Sequence, residues 1–429
     1  MKDIAAYAVE AMIKAGADKA SCTVSGGRKD EFNVEANKFS LLRTLFEDEL
    51  NLKAIKGGRK GTISVNKLDK DSVKKAVEEC VALADSAAPD EAEDIAPLEE
   101  NKTFSRLIGG GDMGQLFDRC KELLTQVAEE YPKINLDMNA EFNSRRAAYI
   151  NSNGAEFLDE AEYYFLNTLF VAKDGEASSS FNYNHMLMNS LAVPFIDMGM
   201  QRALLEDSVK SLKTRMIDDK FVGKIIVAPS CDDMIWQTLF ECFLGNYAMI
   251  SDTSRWKDAL GTVVADKKLT MRAAPHAAEM IAAERFTEDG FLSRDADFIR
   301  EGVLTSFSLD LYGANKTGKP RAANTATYNI EVAAGDTPLA DMIKGIDKGI
   351  LLGRFSGASP GPSGDISGVA KNSFLIENGQ VTDAISETMV SFNIVDILKN
   401  IPAISKERNA NGVNLLPWCC FDGVTVSGK

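Results

Sequence analysis

The chain has 429 residues, room for two to three domains of about 150 residues each and for at least one sizeable hydrophobic core. Apolar residues make up 45% and charged residues 26%, ordinary globular values that exclude collagen-like, disordered and coiled-coil classes for the chain as a whole. Lys plus Arg total 48 against 63 Asp plus Glu, and the resulting net charge of -15 repels polyanions, so direct nucleic-acid binding is not expected.

In chain order, residues 3–15 carry Ile4, Tyr7, Ala8, Ala11 and Met12 at helical spacing and stop at Gly16. Period-2 stretches then predict strands over 21–25, 31–37, 40–46 and 49–55, with a hairpin turn at 56–59 leading into 61–65. A helix over 71–87 follows, with Val73, Ala76, Val77, Cys80, Val81 and Ala84 on one face. A second helix-and-strands unit starts with a helix over 113–130 and continues through strands at 136–142 and 146–151, a turn at Asn153-Gly154 and a strand over 162–172. The stretch 200–219 returns to helical spacing, which sets a domain boundary near residue 220.

Beyond it, one strongly apolar helix is expected over 232–247, and almost everything after it reads as antiparallel β, with turns at Asp289-Gly290, Glu301-Gly302, Asn378-Gly379 and Asp422-Gly423. The expected architecture is therefore α+β: an N-terminal domain of helices and antiparallel strands, residues 1–220, and a C-terminal, mostly β domain, residues 221–429. The segment 356–364, rich in Gly, Ser and Pro, reads as a flexible or substrate-covering loop.

Residues that could carry chemistry are few. His185 and His276 are the only histidines, and no G-x-S-x-G elbow accompanies them. The run Gly109-Gly110-Gly111 lacks the Lys-Ser/Thr of a phosphate cradle, and Ser25-Gly26-Gly27-Arg28-Lys29 has no following helix; both read as turns. The seven cysteines, at 22, 80, 120, 231, 242, 419 and 420, are odd in number and show no C-x-x-C spacing, which fits reduced structural thiols. Adjacent Cys419 and Cys420 on a strand point to opposite faces and do not suggest a shared metal. On one continuous helix Cys231 and Cys242 would stand about 16 Å apart, too far to share an ion. Asp232, Asp233 and Glu241 could bind a hard cation, although capping explains the first two more simply. The N-terminus has acids where a signal peptide needs an apolar run, and no window reaches about 18 uncharged apolar residues, so a cytoplasmic protein without a membrane partner is expected.

Several strings, in their shared order, resemble the TldD/PmbA family, also called the modulator of DNA gyrase family. They are Leu50 to Val65 with the helix that follows, Tyr149-Ile-Asn-Ser-Asn-Gly154, Arg285-Phe-Thr-Glu-Asp-Gly290, Gly364-Asp-Ile-Ser-Gly368 leading to Phe374 to Gly379, and the closing Phe421 to Gly428. The resemblance implies a metallopeptidase built as a heterodimer of a catalytic TldD-like chain and a TldE (PmbA)-like partner. In the catalytic branch it implies an H-E-x-x-x-H zinc helix at the start of the second domain, together with a C-terminal cysteine.

Laid on this sequence, that motif falls on Gln237, Thr238 and Cys242, and no histidine lies anywhere between 185 and 276. Gln is a poor zinc ligand and Thr cannot act as a carboxylate base. The resemblance thus implies the TldE/PmbA-like branch: no catalytic residues, metal or cofactor in this chain, zinc only in a TldD-like partner, and unfolded or small modified peptides as substrate. The DNA-related partner that the gyrase name implies is set aside because of the acidic balance. The rival reading is a homodimeric peptide-binding protein or metal-independent hydrolase using the 356–364 loop with Ser363, Asp365 or His276, stable as a homodimer and insensitive to chelators.

Overall fold

The computed structural model describes residues 1–325, 327–358 and 360–428. The first half runs α1 (Lys2–Lys14), β1 (Lys19–Glu35), β2 (Lys38–Lys56), β3 (Arg59–Val65), α2 (Lys70–Ser86), β4 (Lys102–Arg106), α3 (Met113–Glu130), β5 (Ile134–Asn151), β6 (Glu156–Asp174), β7 (Ala177–Ser178), β8 (Asn182–Met188) and α4 (Gln201–Lys210). Its strands form one sheet in the order β3-β2-β1-β5-β6-β4, with β7 and β8 also paired to β6. All of these pairings are antiparallel except β4 with β6.

Alternation along these strands builds two unlike faces. Cys22, Val24, Leu50 and Leu52 pack against Ala8 and Met12 of α1 and Val77 and Cys80 of α2. Further along the same face Phe32, Val34, Leu136 and Leu166 pack against Leu116 and Leu123 of α3 and Leu205 of α4. Each fully buried Leu of this kind contributes about 2 kcal/mol over an exposed one. The opposite face, written here as the inner face, carries the odd positions of β1 and is polar: Lys29, Glu31 and Asn33 lie across from Asn143, Glu141 and Asn139 of β5.

The strands are longer than the sequence pattern suggested. The stretches 21–25 and 31–37 are parts of the one strand β1, and 40–46 and 49–55 are parts of β2. Strands 136–142 and 146–151 likewise merge in β5. Gly26 and Gly27, read from sequence as a turn, remain extended in mid-strand. A Cβ on Gly27 would lie 2.7 Å from the Ser144 carbonyl oxygen, so glycine is required there by close approach of β5. The true β1–β2 turn is Ala36-Asn37, both residues with positive φ, as a two-residue hairpin of primed type demands. The helix expected over 200–219 ends at Lys210.

Strands of the second half form a large sheet that mixes parallel and antiparallel pairs, with Phe221–Val227 between Leu415–Ser427 (antiparallel) and Lys348–Leu352 (parallel). Its core gathers Ile225, Val227, Leu239, Phe243, Phe307, Ile350, Phe421 and Val424. One expectation is corrected here. The apolar helix over 232–247 is broken into an α-turn at Trp236–Leu239, a π-turn at Phe240–Leu244 and a second helix at Asn246–Ile250. Gly245 marks the break: its backbone is extended, and its N–H donates back to the Phe240 carbonyl at 2.8 Å. The remainder is mostly β, as expected, with short helices at Leu311–Thr317, Leu339–Lys344 and Ile394–Leu398. The first of these carries signals in its ends: the Asp310 carboxylate accepts from the Gly313 N–H, and Gly318 closes it in the left-handed conformation.

The two halves are joined by specific contacts. Tyr149 and Phe157 of the first sheet stack at 5.6 Å, and Phe286 lies 5.3 Å from Phe157. The Tyr312 hydroxyl donates to Asp90 at 3.1 Å, and Lys316 pairs with the same carboxylate at 2.9 Å.

Candidate functional site

The broken helix places Gln237, Thr238 and Glu241 on one cavity of about 390 Å3, opposite Arg354 and the 356–358 backbone, with Tyr183 of β8 contributed from the first half. The structure therefore brings together the zinc-motif positions and the Gly/Ser/Pro loop, which sequence had treated separately. Thr238 is buried and Gln237 exposed, its side-chain amide donating to Glu241 Oε1 at 3.0 Å. Cys242 is buried against the loop, its Sγ 3.5 Å from the Pro360 carbonyl. Burial, reinforced by the Glu241 charge, pushes the Cys242 thiol above its ordinary pKa, which keeps it protonated near neutrality.

This donor set does not fit zinc. An amide bonded to a neighbouring carboxylate, a hydroxyl and a single thiol replace two imidazoles and a carboxylate base. Glu241 is the one carboxylate among the described lining residues. The side chains of Asp232 and Asp233 lie outside the described residues. Among the described residues no group of three or more His, Cys, Asp or Glu is arranged to hold a metal ion.

The cysteines behave as packing groups. Cys419 faces the second-half core near Ile235 and Trp236, whereas Cys420 faces the opposite side with Ile226, Met342 and Ile376. Burial pushes the Cys420 thiol up to about 12 and raises that of Cys419 as well. The spacing estimate for Cys231 and Cys242 does not carry over, because the backbone at Cys231 is non-helical and the segment between them is broken.

Of the residues of the metal-independent reading, Ser363 and Asp365 are brought together, the Asp365 N–H donating to the Ser363 hydroxyl at 3.4 Å. His276 contacts Asp295, with 3.3 Å from Nδ1 to Oδ1. The Ser363 carbonyl accepts from Arg255 and Asn393, and Asp365 accepts from Asn393. His185 sits on β8, its Nε2 2.9 Å from the Asn411 side-chain amide of the second half.

Sequence reasoning missed Arg354 and Tyr183 as cavity residues. The Arg354 guanidinium lies 3.9 Å over the Phe181 ring and donates to the Ser180 hydroxyl at 2.7 Å, and burial lowers its pKa. Neither residue stands in a motif, and Tyr183 joins Gln237 only through the packing of β8 against the second half. The string Arg285 to Gly290, a carrier of the resemblance, proves to be a buried ionic knot. Arg321 makes a bidentate pair with Asp289, donating to Oδ1 at 2.6 Å and to Oδ2 at 2.8 Å, and stacks 3.7 Å over Phe291. Burial opposes ionisation of Asp289, but Arg321 outweighs it and holds the carboxyl below its usual range. Nearby Glu284 is pushed up to about 7 by burial, with the Ser293 hydroxyl donating to it at 2.7 Å.

A larger groove of about 980 Å3 lies on the inner face of the first sheet, lined by Lys29, Leu45, Glu47, Glu141, Asn143 and Arg145 among others. It shares no lining residue with the smaller cavity.

Fold and cavity together define an α+β protein with a cavity whose described lining does not offer a zinc donor set. The comparisons with known proteins agree with that fold. Residues 223–428 match the PmbA/TldA metallopeptidase C-terminal domain. A metalloprotease PmbA homolog of Haemophilus influenzae is 20% identical, the alignment covering 100% of this chain and 96% of that protein. Among solved structures, TldE from Thermococcus kodakarensis superposes with a TM-score of 0.83 at 18% identity, covering 100% of both chains. A putative modulator of DNA gyrase from Bacteroides thetaiotaomicron gives 0.86 at 23% identity, covering 100% of this chain and 99% of that one. Residues 223–428 thus match a PmbA/TldA metallopeptidase C-terminal domain, and the chain as a whole is similar to proteins named as metalloproteases and modulators of DNA gyrase.

Proposed function

We propose that this chain is the TldE/PmbA-like, non-catalytic companion of a TldD-like chain in a cytoplasmic two-chain metallopeptidase that cuts unfolded or small modified peptides. The zinc belongs to the TldD-like chain; this chain shapes the chamber and grips extended peptide backbone. The observation that carries the reading is the set of residues at the motif positions: Gln237 and Thr238 line the cavity, the first tied to Glu241, and Cys242 packs against the Pro360 carbonyl. The net charge of -15 supports a peptide rather than a nucleic-acid partner. Among the described residues no helix is long and apolar enough to cross a membrane.

The test is to mix the purified chain with a TldD-like chain and follow cleavage of casein or a short peptide. The expected result is activity well above that of the TldD-like chain alone, abolished by chelator. No gain on mixing overturns the reading.

A further inference from the structure

The strand Arg354–Gly357, one wall of the smaller cavity, is paired on one side only among the described residues, antiparallel to Asp365–Lys371. Register fixes which backbone groups face the open side. The Ala370 N–H donates to the Thr388 carbonyl at 2.9 Å, away from Arg354–Gly357, so Phe355, opposite Ala370, turns its own N–H and C=O outward. Gly357, two residues on, does the same, and these groups have no backbone partner among the described residues. The open edge has a definite end, because the Gly353 carbonyl already accepts from the Ser230 hydroxyl at 3.0 Å.

Arg354 stands at that same end. Its guanidinium lies over Phe181 and gives one N–H to Ser180, and its Nε is buried with no hydrogen-bond partner. No carboxylate among the described residues pairs with it; Glu241, on the facing wall, accepts from Gln237 instead. A guanidinium carries five N–H donors in a fork that matches a carboxylate. A half-buried one without a counter-charge is costly until a partner supplies it.

We infer that the cavity receives the C-terminal end of an extended peptide, whose main chain adds antiparallel to Arg354–Gly357 and whose terminal carboxylate pairs with Arg354. Direction follows from the ends. Arg354 begins its strand, so an antiparallel guest is the one that brings its C-terminus there. The Ser230 bond to Gly353 closes the edge at that point, which selects a chain end over an internal acidic residue. The edge is roughly 10 Å long, room for about three residues at ~3.4 Å each. The cavity's volume of about 390 Å3 lies within the ~300–1,000 Å3 range of ligand sites. This rests on the companion-subunit reading in one respect, that the chain handles peptide, and it names the part of the peptide that is held.

The test uses the full chain without a partner, titrated by calorimetry with acetyl-trialanine as the free acid or the C-terminal amide. The free acid should bind at least tenfold more tightly. The amide of acetyl-Ala-Ala-Glu, whose carboxylate is on a side chain, should bind no better than the trialanine amide. Arg354→Gln should erase the preference. Because Arg354 also packs on Phe181, Gln237→Trp supplies a second variant: Gln237 is exposed on the cavity wall, and the larger side chain should block the acid with the melting temperature unchanged. Equal binding of the free acid and either amide overturns the inference. So does no binding of the acid at millimolar concentration, or a preference that survives either substitution in a folded chain. The two readings fail separately. Activation of a TldD-like chain without any acid preference overturns this one alone, and an acid preference without activation overturns the companion-subunit reading alone.

Discussion

The ionic knot around Arg321 shows how single residues set stability here. Arg321 and Asp289 are only 15% and 16% exposed, so removing one charge leaves the other largely buried. Asp289→Asn should cost about 2–4 kcal/mol, read from denaturant midpoints. Glu284 acts with the opposite sign. Folded, its carboxyl keeps its proton to about 7, while in the unfolded chain it ionises near 4.5. Between those values the folded state binds more protons, so raising the pH over this window should lower stability through Glu284. Glu284→Gln should flatten that part of a melting-temperature profile; an unchanged slope would contradict the assignment. None of this was legible from sequence. Arg285 to Gly290 was visible as a string, but its partner Arg321 lies some thirty residues away with no local pattern to connect them.

At the scale of elements, glycines decide where regular structure holds. Gly27 lies in mid-strand because β5 approaches it closely, and Gly27→Val should cost roughly 1–3 kcal/mol through overpacking, measured by chemical denaturation. Gly245 is the opposite case, breaking a run whose apolar pattern alone predicts one helix. The elements of the first half were legible as types, because α1, α2 and α3 repeat apolar residues at helical spacing. Their strand lengths were not, because a glycine pair in a strand and one in a turn look alike without the neighbouring strand. Short helices such as Leu311–Thr317 escape a periodicity argument for lack of length, although the Asp310 cap and Gly318 were readable.

For the whole molecule, the α+β class and the family resemblance were in the sequence, and the cavity was half there. Gln237, Thr238 and Cys242 could be placed by motif, whereas Arg354 comes from a distant strand of the same half and Tyr183 reaches the cavity only through the docking of β8 on the second half. Elsewhere the two halves are tied by Asp90, which serves both Tyr312 and Lys316. Asp90→Ala should speed proteolysis at the junction before the global melting temperature moves.

The account rests most heavily on the incapacity of the cavity to hold zinc. The direct measurement is zinc content by plasma mass spectrometry of the tag-free chain after dialysis against excess metal, alongside peptide hydrolysis. The account predicts a small fraction of an equivalent and no hydrolysis by the chain alone. One tightly bound zinc per chain, required for turnover, would contradict it.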